Sequence, residues 1–502
     1  MAQARSIASA PAAVRVQVIA PAQLGATAVA ALAVRGIDAR IAAPPVVPRA
    51  SRAANDARPE PGARGEQPDW IDAALGDDVI AWALDAAPGA AGAAELATVC
   101  ARAAATGRPV CLLAPLPHGA GRPAIERTAA LAHLRAYGAA VSHDVDAWLE
   151  AVVLLVRFGL PAGPRAAVIA PPGSWLEAQA IAIAADAELG GARSPLTAPD
   201  DPTDVVLYEP ALGPPPASTP GLHVPVAARG ELAGTAVVLH GARAALTAIA
   251  VLGRAAERIA VGLGPAPAAA SAELAIDRER LARQLAKLGS DQRRVGDHET
   301  KVLLSAYGVP ITRQAVATTP SAAVKLARRA GYPVEIKPFG HDLPSEPAGC
   351  PVERNVTSDA MVRAAFATVL AAAGRASGDA SGVIIRETPP HGRELSVALL
   401  ELPALGWTVV LEGPAGGGGS APLAAAPAPL RLIDAQVLAG QVAASRAGDP
   451  EPDRTGLANL LRRASHLVVD LGDRIARLDL PRVVIGGRGA RTLVVDAATE
   501  LR

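Results

Sequence analysis

The chain has 502 residues, which at roughly 150 residues per domain suggests about three domains. Half of the residues are hydrophobic but only 2% are aromatic, so the cores must be built from Ala, Val, Leu and Ile. Lys plus Arg (48) balances Asp plus Glu (48), which argues against nucleic acid or an anionic membrane as the main partner; three Cys without a CxxC spacing exclude a disulfide framework and all but exclude a zinc ribbon.

Residues 1–13 are small and polar without a period and read as a frayed tail. VRVQVIA (14–20) reads as a buried strand, followed by a helical run ended by Gly36 and a second strand, IDARIAA (37–43). Residues 44–68, dense in Pro, Arg and Glu, read as a mobile loop. Strands over 78–85, 109–115 and 139–143 then alternate with helices over 93–107, 124–138 and 145–159. This alternation predicts a doubly wound parallel sheet. A second unit opens at RAAVIAPP (165–172). It continues with a helix, the strand DVVLYEP (204–210), a Pro-rich loop (213–220), the strand TAVVLH (235–240) and a helix over 242–260. Both units open as strand, tight turn and Ala-rich helix, which suggests duplication.

A Pro/Ala linker leads into a charged helix over 263–296. From residue 297 the pattern changes. HETKVLLSAYGVPI and SAAVKLARRAGYPVEIKPF each read as a helix, a Gly stop and a strand. GVIIRETPPHGRELSVALLEL and GWTVVLEGP read as β-rich, 416–429 as flexible low-complexity sequence, and 454–476 as a long helix before the strands RLDLPRVVI and TLVVDA. The expected division is therefore 14–160, 161–262, 263–296 and 297–502. The most apolar stretch, 16–34, contains Gln17, Pro21, Gln23 and Gly25 and does not read as membranous or as a signal. A soluble, cytoplasmic protein is the expectation.

Lys occurs only at positions 287, 301, 325 and 337, so each Lys is informative against an otherwise all-Arg background. Lys337 ends the strand PVEIK. Alternation puts Val334 and Ile336 on one face and Glu335 and Lys337 on the other. A strand-end Lys can neutralise a nucleotide phosphate; the plainer alternative is a solvated Lys. His118 lies in a Gly-rich loop between a strand and a helix, where an anion could be held; the alternative is a surface loop His. His133 and His143 read as structural or solvated. Asp479 and Asp496 lie on two late strands that could pair, with Glu394 on an earlier one. Mg²⁺ bound with a nucleotide needs one or two such carboxylates; the alternative is three unrelated surface acids.

In this order the parts resemble the NDP-forming acyl-CoA synthetases, the ADP-forming acetate–CoA ligase group. ETKVLLSAYGVPI, AGYPVEIKPF followed by HDLP, GRELSVALL, and LDL with VVDA resemble the family's ATP-grasp domain. VQVIAPAQLGA, DDVIAWALDAA, GRPVCLLAP, GPRAAVIAPPGSWLEAQAIA and HGARAALTAIAVLGRAAERIA resemble its two flavodoxin-like, succinyl-CoA-synthetase-like domains. The resemblance implies an α/β fold, with two flavodoxin-like doubly wound domains followed by an α+β ATP-grasp domain. It implies ATP or ADP with Mg²⁺ as cofactors, nucleotide contacts at Lys337, Glu387 and Glu394, and metal contacts at Asp479 and Asp496. The family makes an acyl phosphate and passes its phosphoryl group through a histidine to the ATP-grasp site.

Several family features are replaced. The chain begins at what resembles the second family domain, so CoA is expected only where a partner subunit supplies the CoA-binding domain. The first phosphate-binding turn falls on Pro21 and Ala22, and Pro lacks the N–H that cradles phosphate. The phosphohistidine string falls on Glu126, Arg127, Thr128 and Ala129, and Arg cannot carry a phosphoryl group. The family's His-Lys falls on Ser345 and Glu346, and its Asn-Pro on Pro481 and Arg482. The expectation is a degenerate homologue without the full relay, acting as an oligomeric structural or regulatory subunit with residual ATP binding. The alternative is an active ATP-dependent carboxylate–CoA ligase that works with a separate CoA-binding subunit, with His118 as a substitute carrier.

Overall fold

The computed structural model describes residues 14–42, 79–184, 192–193, 203–215, 219–228, 238–288, 292–340, 343, 349–376, 380–414, 421–444, 452–487 and 490–502. The expected tail, the 44–68 loop and parts of the 213–220 and 416–429 segments lie outside them. The contacts group into two compact units. One comprises 1–117 and 130–264; the other comprises 118–129 and 265–502.

The first unit holds two five-stranded parallel sheets. One is built from β1 (Val16–Ile19), β2 (Ala39–Ile41), β3 (Val79–Ala83), β4 (Cys111–Leu113) and β5 (Ala140–Ser142), in the order β2-β1-β3-β4-β5. The other is built from β6 (Ala166–Ile169), β7 (Ala192–Arg193), β8 (Val205–Tyr208), β9 (Leu222–Ala227) and β10 (Leu239–His240), in the order β10-β9-β8-β6-β7. Numbered within each sheet, both orders are 2-1-3-4-5, the flavodoxin-like doubly wound topology. The fold class read from the sequence is borne out.

Helix α1 (Val145–Arg157) and helix α2 (Ala242–Val261) pack together, and residues of both sheets join one apolar cluster with them. The Asp144 carboxylate accepts from the Ala147 backbone N–H at 2.8 Å and caps α1. Trp148 of α1 is fully buried and donates its indole N–H to the Cys111 carbonyl at 2.8 Å.

The second unit is mainly antiparallel. A six-stranded sheet runs β11 (Arg294–Val295), β20 (Leu493–Leu501), β19 (Ile475–Gly486), β16 (Gly392–Leu402), β17 (Gly406–Glu412), β18 (Pro422–Pro427). A four-stranded sheet runs β12 (Gln314–Ala317), β15 (Gly382–Glu387), β13 (Val334–Phe339), β14 (Glu353–Val356). Strand β18 corrects the sequence reading. Part of the stretch expected to be flexible is an ordered edge strand, because Ala424 and Ala426 are small enough to bury against the sheet while proline bounds both ends. Helix α3 (Asp297–Ala306) leads out of β11, and Gly308, at φ 71°, makes the stop expected there.

Candidate functional site

In strand β13, Val334 and Ile336 pack into the core of the four-stranded sheet, as alternation predicts. The opposite face is not solvated. Glu335 and Lys337 are also buried, which removes the strand-end alternative for Lys337. The Lys337 ammonium lies 2.7 Å from Asp496 Oδ1 and 2.9 Å from Asp297 Oδ2. Asp297 opens α3 and also accepts from the Ala497 backbone N–H at 2.9 Å.

One turn along α3, Lys301 is fully buried and its Nζ has four kinds of acceptor. These are Asp297 Oδ2 at 3.2 Å, Thr312 Oγ1 at 3.1 Å, Gln314 Oε1 at 2.9 Å and the Val495 carbonyl at 2.6 Å. Arg386, also fully buried, binds Glu335 with Nε (3.1 Å) and Nη2 and donates Nη1 to the Val495 carbonyl at 2.7 Å. The result is a buried lattice of three carboxylates and three cations between the two sheets of this unit. Burial alone would raise the Asp297 carboxyl, but Lys301, Lys337 and Arg386 together hold it well below the carboxylate range. Burial pushes Lys301 down to about 8 against the pull of Asp297.

Beside the lattice is a cavity of about 360 Å³ lined by strands of both sheets. Of the residues singled out in the sequence, Lys337, Asp479 and Asp496 line it together. Glu387 and Glu394 are not among its lining residues. Glu387 instead accepts from Arg313, at 2.8 Å from the backbone N–H and 2.6 Å from Nε. Glu394 accepts from Arg482 Nε at 2.9 Å and Nη2 at 2.8 Å. Asp479 receives Arg477 Nε on both oxygens, at 2.9 and 2.7 Å, and burial raises its carboxyl despite that guanidinium.

His118 sits in the loop after β4, and its carbonyl accepts from Arg127 Nη2 at 2.8 Å. Arg127 thus holds the loop backbone at the place where the resemblance puts a carrier. His133 is buried beside Tyr137, and His143 donates Nδ1 to the Ala114 carbonyl at 2.7 Å; both are structural.

Sequence reasoning missed Asp297 and Lys301. Their signal was available as an acid and a base four apart on one helix, in a chain with four lysines.

Residues 286–501 match the family model of an ATP-grasp domain. The beta subunit of the ADP-forming acetate–CoA ligase II of Pyrococcus furiosus is 28% identical over 218 residues, 41% of this chain and 91% of that protein. The beta subunit of ligase I from the same organism is 32% identical over 138 residues, 27% of this chain and 60% of that protein. The ADP-forming 4-hydroxybutyrate–CoA ligase of Nitrosopumilus maritimus is 27% identical over 217 residues, 41% of this chain but only 30% of that protein. Over residues 286–501 the resemblance read from the sequence therefore holds.

An ATP-grasp domain implies a nucleotide with Mg²⁺. Glu412 and Glu500 also line the cavity, but the two carboxylates expected to meet that ion do not fit it. Asp496 is closed by Lys337 and Asp479 by Arg477, so each already carries a cation of the chain. Among the described residues no cluster of three or more His, Cys, Asp or Glu side chains could hold a metal ion.

Proposed function

We propose that this chain is a homologue of ADP-forming acyl-CoA ligases that does not run the phosphohistidine relay and serves as a structural or regulatory subunit. The observation that carries this reading is the internal neutralisation of the acids. Asp496 and Asp479, the residues expected to meet a metal–nucleotide, are each within 3 Å of a cationic side chain of this chain. A phosphate arriving at Lys337 would have to displace two buried carboxylates, and separating buried partners is strongly unfavourable. Arg127 at the carrier position supports the same reading, since a guanidinium that stays protonated is a poor nucleophile beside the neutral imidazole it replaces. Residual nucleotide binding is then weak and indifferent to Mg²⁺. This reading treats 14–160, 161–262 and 297–502 as its domains, joined by the linker 263–296. It places the chain in the cytoplasm, in an oligomer without nucleic-acid or membrane partners. No helix among the described residues is long and apolar enough to cross a membrane.

A second reading rests on the relatives, two of which are beta subunits of ligases. In it, an active ATP-dependent carboxylate–CoA ligase forms when a partner brings the CoA-binding domain, and His118 carries the phosphoryl group. One experiment separates the two. The full chain is incubated with γ-labelled ATP, Mg²⁺, acetate and CoA, and acid-labile protein-bound label is counted. The first reading expects none above a heat-killed control. Stoichiometric label that disappears in His118→Ala would overturn it.

A further inference from the structure

We infer that His298 is the hydrogen-bond donor through which the cavity holds an oxyanion, a carboxylate or a phosphate group, and that a relay from Lys301 sets its tautomer. The inference concerns the ligand of the cavity and stands whether or not the phosphoryl relay is lost.

Lys301 Nζ donates to Gln314 Oε1 at 2.9 Å. An ammonium can only donate, so this contact fixes which end of the Gln314 amide is oxygen. The opposite end, Nε2, is therefore the NH₂ group, and it lies 3.3 Å from His298 Nδ1. Since the amide NH₂ donates, Nδ1 must accept, and the neutral ring carries its proton on Nε2. Burial keeps the ring neutral by lowering its pKa, against the nearby Glu299 and Asp297. Phe339 meets the ring edge-on with centroids 5.9 Å apart and fixes its plane. His298 lines the cavity, and no described residue accepts from Nε2.

Arg294, four residues earlier, lines the same cavity and reaches its nearest carboxylate, Glu500, only at 3.9 Å. Beside the lining carboxylates of Glu412 and Glu500, the cavity thus presents an N–H and a loosely held guanidinium, while Asp479 and Asp496 are paired with internal cations. Donors of that kind recognise an oxygen acceptor rather than a cation.

The test is nitrogen-15 NMR of the imidazoles in the full chain, with the His298 signals identified by their loss in His298→Phe. The expected result is an unprotonated Nδ1 and a protonated Nε2. Gln314→Glu should exchange the two, because a carboxylate can only accept and would draw the proton to Nδ1. Inorganic phosphate and sodium acetate are then titrated separately. At least one should shift the Nε2–H signal, and the responding probe identifies the oxyanion. His298→Phe should weaken that probe by roughly fivefold or more, the worth of about one hydrogen bond. Should the Phe variant not fold, Gln314→Glu must weaken the probe by a similar factor while keeping the ring. A proton on Nδ1 in the unaltered chain, silence to both probes, or unchanged affinity in the variant that folds would each overturn the inference.

Discussion

Lys337 joins two buried carboxylates, Asp297, which it shares with Lys301, and Asp496. Lys337→Met should therefore destabilise the second unit by about 3–5 kcal/mol, the range for leaving a buried charge without its partner. Adding Asp496→Asn to that variant should recover part of the loss, because one of the two buried acids that faced Lys337 is then neutral; a double-mutant cycle by urea denaturation reads the coupling. Lys301 predicts a pH effect of a particular sign. Its folded pKa, about 8, lies below the ordinary lysine value of about 10.4. Between those values the unfolded chain keeps a proton that the folded chain has released. Unfolding then takes up a proton, and stability rises with pH across that window. The rise should be visible in denaturant midpoints and missing in Lys301→Met. The scarcity of lysine drew attention to the strand PVEIK and so to Lys337. Alternation alone could not show that the polar face of that strand is buried, because Asp496, which meets Lys337 from the second sheet, lies 159 positions away.

Single elements were easier to read than their company. Helix stops at Gly36 and Gly308 were legible because both residues adopt left-handed backbone angles, at φ 65° and 71°. The edge strand β18 was not, since an Ala/Pro run has neither period nor bulk and its ordering comes from pairing with β17. Helix α2 shows local preference overruled by packing. Gly253 sits in its middle, where Ala would ordinarily be worth about 1 kcal/mol more. A methyl group there would lie 2.4 Å from the backbone of Gly163 and Pro164. Overpacking against backbone costs about 1–3 kcal/mol. Gly253→Ala should accordingly lower the melting temperature despite the better helix former, and thermal unfolding followed by circular dichroism measures the sign.

At the scale of the whole chain, the order of parts carried the sequence reading. Two strand–helix alternations predicted two doubly wound sheets, and the repeated 2-1-3-4-5 order bears out that topology. The ATP-grasp match over 286–501 confirms the family resemblance through residues whose local phrases survive, such as ETKVLLSAYGVPI. What the phrases could not convey was pairing. Asp479, Asp496, Glu387 and Glu394 were each legible as acids, but their partners Arg477, Lys337, Arg313 and Arg482 become evident only once the strands are registered.

The ammonium and guanidinium groups beside Asp496 and Asp479 are covalently part of the polypeptide. They cannot be dialysed away or lost when free magnesium falls. Saturating EDTA should accordingly leave the melting temperature of the intact chain where it was, and replenishing the ion afterwards should restore nothing.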